Sequence, residues 1–272
     1  MIGLKAPEKR PLPVDPIDLV AIDLDGTLLR ADGSICVHAA EAIHTALKLG
    51  VRVVLASGRA PRGIRRVYEA LGLDTVQICQ NGALVHDPHG DQAMFHEQLP
   101  ADMARRVIEI ARTTAPDIAM AVEVYDRCFT DRPNGDLRKQ PAVVEGRVPD
   151  MVGALAEVLD GPITKVMACG EPDKLGGIQM ALQRELGQQV AFSCSHLKLL
   201  QVVNGNVDKS VALERVCDYY GIPQSRTMAI GDAPNDLGMI QWAGLGVAMK
   251  NGWSQVRSGA HFVVGSNDDA GV

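Results

Sequence analysis

Aromatic residues are scarce in this 272-residue chain: four Phe, four Tyr and two Trp make up 4% of it, too few for a surface that stacks on nucleobases. Positive charge is not in excess either. The formal net charge is -6, which gives no general attraction to nucleic acid or acidic membranes, so an anionic ligand has to be held locally by a metal and a few placed cations. No apolar stretch reaches spanning length and no signal peptide is evident; residues 1–16 carry charges and four prolines and are expected to form a mobile N-terminal arm. The six cysteines (Cys36, Cys79, Cys128, Cys169, Cys194, Cys217) form no CxxC pair, and the seven histidines form no HExxH or Cys/His cluster. That pattern counts against a structural zinc site and reads as reduced thiols of a cytoplasmic protein. Internal repeats and low-complexity segments are also missing.

What is present is an ordinary globular composition, 46% hydrophobic and 22% charged, long enough for one large domain or two smaller ones. From Ile17 to Cys79, apolar runs ending in polar clusters alternate with amphipathic stretches: strands at Ile17–Asp23, Val51–Ala56 and Val76–Cys79, helices at Val37–Leu49 and Pro61–Leu71. This rhythm predicts βαβ units and a parallel sheet. It breaks after Ala83, where Ala83–His86 and Ala93–Glu97 flank turn residues as a hairpin. Helices are then expected at Ala101–Thr113, Met151–Leu159 and Pro172–Leu186, and strands at Ile118–Val124, Arg127–Thr130, Ile163–Ala168, Val190–Cys194 and Leu197–Val203, with a polar loop from Asp131 to Pro141. The βα rhythm returns with a helix at Lys209–Tyr220 and a strand at Thr227–Ile230, followed by a helix at Pro234–Ala243. The fold expected is a doubly wound, Rossmann-like α/β core of residues 17–83 and 197–272, interrupted by an inserted α+β cap over 84–196.

Chemistry concentrates first in IDLVAIDLDGTLL, Ile17 to Leu29. On an extended backbone residues i and i+2 point the same way, so Asp23 and Asp25 are expected to crowd their charges on one side. Mg²⁺ suits such a pair, because it takes a few carboxylate oxygens and completes its shell with water and phosphate. Gly26 permits a sharp turn, and Thr27 offers a hydroxyl and an N–H. Ligands of open α/β sheets collect beyond the carboxyl ends of the strands. Ser57, Gly58 and Arg59, then Asn81 and Gly82, then Asp232, Asn235 and Asp236 fall there, and Lys209 opens a helix that can face the same crevice.

Each group also has a plainer reading. Asp23 and Asp25 suit a turn and cap pair, Ser57-Gly58 a simple turn, and Lys209 a solvated helix residue. Asp232 and Asp236 suit a helix N-terminus with Pro234 in its first turn. Arg59 and Asn81 divide evenly between substrate contact and local hydrogen bonding. Lys165 is expected to be an exposed charge at a strand start, and the histidines, Trp242 and Trp253 to be structural.

Taken in order, DLDGT at Asp23–Thr27, ASGR at Ala56–Arg59, Asp208-Lys209 and GDAPND at Gly231–Asp236 resemble the four motifs of haloacid dehalogenase superfamily phosphatases. NGA at Asn81–Ala83, GLGVAMKNG at Gly244–Gly252 and SND at Ser266–Asp268 narrow the resemblance to the Cof-type group, whose α+β cap (C2B-type) is inserted between the second and third motifs. The resemblance implies that Asp23 is the nucleophile and Asp25 the general acid and base. It further implies that Mg²⁺ is held by Asp23, the carbonyl of Asp25 and Asp232, with Asp236 beside it or acting through water. Ser57, Asn235 and N–H groups near Leu24 and Gly58 would hold the phosphoryl oxygens, with Lys209 balancing charge.

The activity implied is Mg²⁺-dependent hydrolysis of small phosphomonoesters through an aspartyl-phosphate. Partners would be limited to the phosphorylated substrate, without nucleic acid or membrane, in a monomer or homodimer. The alternatives are a phosphosugar mutase of the same superfamily and a non-catalytic phosphate-binding regulator. Two departures stand out: Ser210 follows Lys209 where the family has glycine, and the final helix that follows SND is missing. The second leads to an expectation of an uncovered core face that lowers stability or promotes dimerisation.

Overall fold

The computed structural model describes residues 15–132, 149–196 and 198–272. The predicted N-terminal arm therefore lies outside the described residues except at Asp15 and Pro16, and most of the predicted 131–141 loop does too. The chain opens with β1 (Leu19–Ile22), α1 (Val37–Lys48), β2 (Arg52–Leu55), α2 (Pro61–Leu71) and β3 (Gln77–Cys79), followed by the hairpin β4 (Leu84–Asp87) and β5 (Gln92–His96). Next come α3 (Ala101–Thr114), β6 (Ala119–Val124), β7 (Arg127–Thr130), β8 (Met151–Val152), β9 (Ile163–Cys169), α4 (Pro172–Leu186), β10 (Val190–His196) and β11 (Leu199–Asn204). The last part holds α5 (Lys209–Tyr220), β12 (Thr227–Gly231), α6 (Leu237–Trp242), β13 (Leu245–Met249), α7 (Ser254–Gly259) and β14 (Phe262–Val264). Among the described residues no helix is long and apolar enough to cross a membrane.

The strands form three sheets. Five pair in parallel in the order β14-β13-β12-β1-β2, with β12 central and β1 an interior strand between β12 and β2. Alternation along β1 supplies both faces of that sheet. Leu19 and Ala21 pack with Ala212, Leu213 and Val216 of α5 on one side. Ile22 packs with Ile43 of α1 and Ile64 and Leu71 of α2 on the other. Parallel strands covered on both sides need near-continuous apolar runs, which is what LVAI and RVVL provide. The second sheet, in the order β10-β11-β9-β6-β7-β8, lies wholly between core strands β2 and β12 in sequence. It packs one face on α3 and α4 through Val122, Val166, Ala168 and Val202.

Several expectations differ from what is observed. The segment Met151–Leu159 is not a helix: β8 pairs in parallel with β7, and only a single 3-10 turn, Leu155–Glu157, follows. Its apolar spacing mimics a helical face, but Leu155 and Leu159 reach the cap core from a turn, and strand pairing satisfies the backbone before them. Pro234–Ala243 divides into a 3-10 turn, Pro234–Asp236, and the short α6.

The sheets also divide the chain differently from the expected boundaries at 83/84 and 196/197. The hairpin β4–β5 pairs with β3, and Val85 and Phe95 pack with the parallel core. In contrast, β11 pairs with β9 and β10 and belongs to the second sheet.

Candidate active site

The strand β1 ends at Ile22, and the chain turns at once. That turn separates the two carboxylates that an extended backbone would have set side by side. Asp23 is buried, whereas the Asp25 side chain is 60% exposed and points to Arg59. Asp25 is held in place by Arg59, whose Nε donates to its Oδ2 at 2.8 Å and a terminal nitrogen to its Oδ1 at 2.5 Å. Arg59 thus forms a local ion pair with Asp25. Gly26 has a φ of +87°, and a Cβ there would come within 2.6 Å of the Asp232 carboxylate, so the turn requires glycine for both conformation and space.

Asp23 meets residues from the far end of the chain. Lys209, the first residue of α5, is fully buried and donates to Asp23 Oδ1 at 2.7 Å and to Asp236 Oδ1 at 2.6 Å. This is not a solvated helix residue. Asp208 caps α5 by accepting from the N–H of Ser210 at 2.7 Å; the bond uses only the backbone of Ser210, so serine in place of glycine is accommodated. Asp236 is more committed than its neighbours, because its Oδ2 also accepts from the N–H groups of Asp232 at 3.0 Å and Ala233 at 2.9 Å. It therefore serves both the lysine and the turn that presents Asp232. Asp232 in turn accepts from the Thr27 hydroxyl at 3.0 Å. The Thr27 hydroxyl, offered by the turn, is buried against this carboxylate.

Oxygens of Asp23, Asp232 and Asp236 lie within 4.8 Å of one another. Three carboxylates around one ammonium leave an excess of negative charge in a largely dry site, and the acid equilibria reflect it. Burial, then Asp236, pushes the Asp23 carboxyl well up, against the pull of Lys209. Burial, then Asp236, raises Asp232 to about 6. Burial opposes the charge on Lys209, but Asp23 and Asp236 outweigh it and hold the ammonium above its usual range. Hard oxygen donors at this spacing, short of positive charge, fit a divalent cation such as Mg²⁺.

Two further loops close around this cluster. Ser57 follows β2, and its hydroxyl accepts from the Arg59 N–H at 3.1 Å. Its carbonyl accepts from the Asn81 N–H at 3.0 Å, and the Arg59 carbonyl from the Gln80 N–H at 2.9 Å, so the 57–59 and 80–81 loops are knitted together. Gln80 and Asn81 both adopt positive φ, 51° and 61°. The Asn235 side chain donates to Asn81 Oδ1 at 2.9 Å, and Gly58 lies against that same oxygen. Ser57, Gly58, Asn81 and Asn235 are therefore neighbours. Gly82 has a different place: with φ +97° it packs on the Asp208 carbonyl, which a Cβ would approach to 2.5 Å. Leu24 is buried, and its carbonyl accepts from Leu29 at 2.9 Å.

Some groups were not foreseen as parts of the site. Asn251 donates to the Gly26 carbonyl at 2.7 Å, Asn267 donates to the Leu29 carbonyl at 2.8 Å, and Asp268 accepts from the Ala31 N–H at 3.2 Å. The KNG and SND stretches carried the signal, and their work is to hold the turn that follows Asp23. Trp253 contributes through its backbone. It exposes its ring and uses its backbone N–H to bond the Asp232 carbonyl at 2.9 Å. Lys165 is not exposed but buried in β9, 3.1 Å from Glu123 and 2.9 Å from Gln201.

Comparison with known proteins places this arrangement among relatives. The family of haloacid dehalogenase-like hydrolases matches residues 20–272. The chain is 29% identical over 257 residues to the 5-amino-6-(5-phospho-D-ribitylamino)uracil phosphatase YitU of Bacillus subtilis, covering 93% of this chain and 94% of that protein. It is 27% identical over 258 residues to the pyridoxal phosphate phosphatase YbhA of Escherichia coli, covering 92% and 93%. A haloacid dehalogenase-like hydrolase from Bacteroides thetaiotaomicron superposes with a TM-score of 0.82 at 26% identity, covering 94% of this chain and 96% of that one.

Proposed function

The chain belongs to the haloacid dehalogenase-like hydrolases, in the Cof-type group, and on that premise we propose that it is a Mg²⁺-dependent phosphatase of small phosphomonoesters. One observation carries the reading: the buried Asp23 carboxylate, bonded to Lys209, faces two further carboxylates within 4.8 Å. A helix cap or a turn has no use for that much uncompensated charge.

In this reading Lys209 holds Oδ1 of Asp23, and Oδ2 is the oxygen offered to phosphorus. The Asp23–P bond forms in line with the breaking bond to the leaving oxygen, and Asp25 supplies the proton that oxygen needs. A water then attacks the aspartyl-phosphate, gives its proton back to Asp25, and releases phosphate with Asp23 restored. Ser57, Asn81 and Asn235 orient the phosphoryl oxygens together with N–H groups at Leu24 and Gly58, while Lys209 balances the charge that builds up on them. Asp23, Asp232 and the carbonyl of Asp25 would hold Mg²⁺, with Asp236 beside them; the ion supplies charge neutralisation at the phosphoryl group. For Asp25 to act, at least one of its two bonds to Arg59 has to open, which makes Arg59 the residue exchanged between Asp25 and the arriving anion. Cys36, Cys79, Cys128, Cys169 and Cys217 are buried and free, which supports a cytoplasmic setting.

The test is a panel of phosphorylated metabolites, assayed for phosphate release with Mg²⁺ and with chelator. Phosphorylated heterocycles come first, because the relatives named above act on a ribitylaminouracil phosphate and on pyridoxal phosphate. Sugar phosphates follow. Release that depends on Mg²⁺ is expected. Rearranged product with the phosphoryl group retained identifies a mutase instead, and no turnover of any substrate removes the enzymatic reading.

A further inference from the structure

The turn between β6 and β7, Tyr125-Asp126, reaches from the cap sheet onto the core beside the loops that would hold phosphate. Helix α2 starts directly after Ser57–Ala60, and its own N-cap residue, Ala60, has no side chain to cap it. Asp126 does so across the boundary: its Oδ1 accepts from the Arg62 N–H at 3.1 Å. The Arg62 guanidinium, 8% exposed, folds back onto the same turn. It bonds the Asp126 carbonyl, lies 3.1 Å from Asp126 Oδ1 and reaches Glu123 at 3.3 Å.

The second loop is held by the same turn. Gln80 donates its side-chain amide to the Tyr125 carbonyl at 2.6 Å. Gln80 and Asn81 are consecutive non-glycine residues in the left-handed region, a conformation that persists only where surroundings impose it. Tyr125, itself at φ +60°, sets its ring edge-on to His86 and His96 at centroid distances of 6.0 and 6.1 Å. Its N–H bonds the Thr164 hydroxyl at 2.9 Å. One cap turn thus grips both loops, one through Arg62 and the other through Gln80.

We propose that the Tyr125-Asp126 turn is a positioning element for phosphate binding: Asp126 is a positioning residue acting through the first turn of α2 on Ser57, while the Tyr125 carbonyl acts through Gln80 on Asn81. The inference rests on the phosphatase reading in taking Ser57 and Asn81 as phosphate contacts. It goes beyond that reading in making their geometry depend on a docked cap.

The full chain is studied as wild type, Asp126→Ala, Asp126→Asn and Ile178→Val, the last a change in the cap core on helix α4. Two measurements are made: hydrogen exchange of the amides at 58–64, and calorimetric binding of inorganic phosphate with Mg²⁺ present. Asp126→Ala is expected to speed exchange and weaken phosphate binding, each by about tenfold, the scale of a lost helix cap. Asp126→Asn keeps an acceptor for the Arg62 N–H and is expected to stay within about threefold of wild type in both. Ile178→Val should lower the melting temperature without moving either readout. Wild-type exchange and affinity in Asp126→Ala, or equal effects from Ile178→Val, overturn the proposal. If phosphate binds and responds as expected while no substrate turns over, the positioning role stands and the phosphatase reading fails.

Discussion

Two buried lysines invite comparison, one at the start of helix α5 in the core and one in strand β9 of the cap. Lys209 in the core has Asp23 and Asp236 within 2.7 Å and Asp232 just beyond, so three carboxylates share one cation. Lys165 in the cap has Glu123, which also meets Arg62, which also meets Asp126; two carboxylates share two cations, and Gln201 completes the row. The cap cluster is closed on itself. The core cluster is not: burial raises carboxyls in both, but at Asp23 and Asp232 the next cause is Asp236, which raises them further, whereas at Asp126 it is Arg62, which pulls the carboxyl back down. Burial of charge is therefore no sign of function by itself: a balanced set can be architecture, and an unbalanced one requires something more.

The largest effect is expected where that imbalance is used. Asp23→Asn is nearly isosteric, so the fold should melt close to wild type, yet phosphate release should fall at least about a thousandfold because an amide is no nucleophile. Substantial residual hydrolysis would move the nucleophile elsewhere. Lys209→Met comes next. It leaves the core carboxylates without their buried ammonium and should cost about 3–5 kcal/mol in denaturant melts. Part of that loss should return with Mg²⁺, and a loss indifferent to the cation would mean that the ion does not sit among these carboxylates.

How far the sequence foretold this contrast depends on the kind of signal. Core strands such as β1 and β2 were legible because continuous apolar runs ending in polar clusters have few other uses, and Asp23, Ser57, Lys209, Asp232 and Asn235 were legible because they lie at the strand and helix ends where such sheets bind ligands. The facing of Asp25 was not, since period-two alternation ends where the strand ends, at Ile22, and the turn follows different geometry. Lys165 was misread for a similar reason. A lysine in a strand looks exposed until its cross-strand partner is known, and pairing with Glu123 depends on a register that joins segments some forty residues apart. The false helix at Met151–Leu159 shows the same limit, because a short apolar spacing carries no information about the strand waiting beside it.

The cap cluster should respond to substitution in the opposite way. Lys165→Met alone strands part of the Glu123 charge and should destabilise by about 2–3 kcal/mol. Replacing both, Lys165→Met with Glu123→Leu, should recover most of that loss, because Arg62 keeps Asp126 and nothing charged is left over. Chemical denaturation of the two variants, with and without Mg²⁺, separates the clusters. Rescue by Mg²⁺ in the cap variant, or a double variant worse than the single, would erase the distinction drawn above.

The smallest effect is also the most diagnostic, because its sign depends on the cation. Asp232 in the folded chain titrates at about 6, above the ordinary 3.8, with burial as the first cause and Asp236 the second. Below the lower value both folded and unfolded chains hold the proton and nothing is lost. Between the two values the folded chain alone retains it, and above the upper one the folded chain bears the full cost of ionising. Without metal, then, this group makes stability fall as pH rises through about 4–6, the reverse of ordinary acid denaturation. A bound divalent cation needs Asp232 ionised, so the cation competes with that proton. At a hundredfold excess over its dissociation constant it should stabilise by about 2.7 kcal/mol at pH 8. At pH 5, one unit below the Asp232 value, the tenfold weakening removes about 1.4 kcal/mol of that gain. Thermal melts with Mg²⁺ and with chelator at the two pH values read the difference directly. The same Mg²⁺ shift at both would mean that the ion binds without displacing a proton from Asp232, and the core cluster would then be as self-contained as the one in the cap.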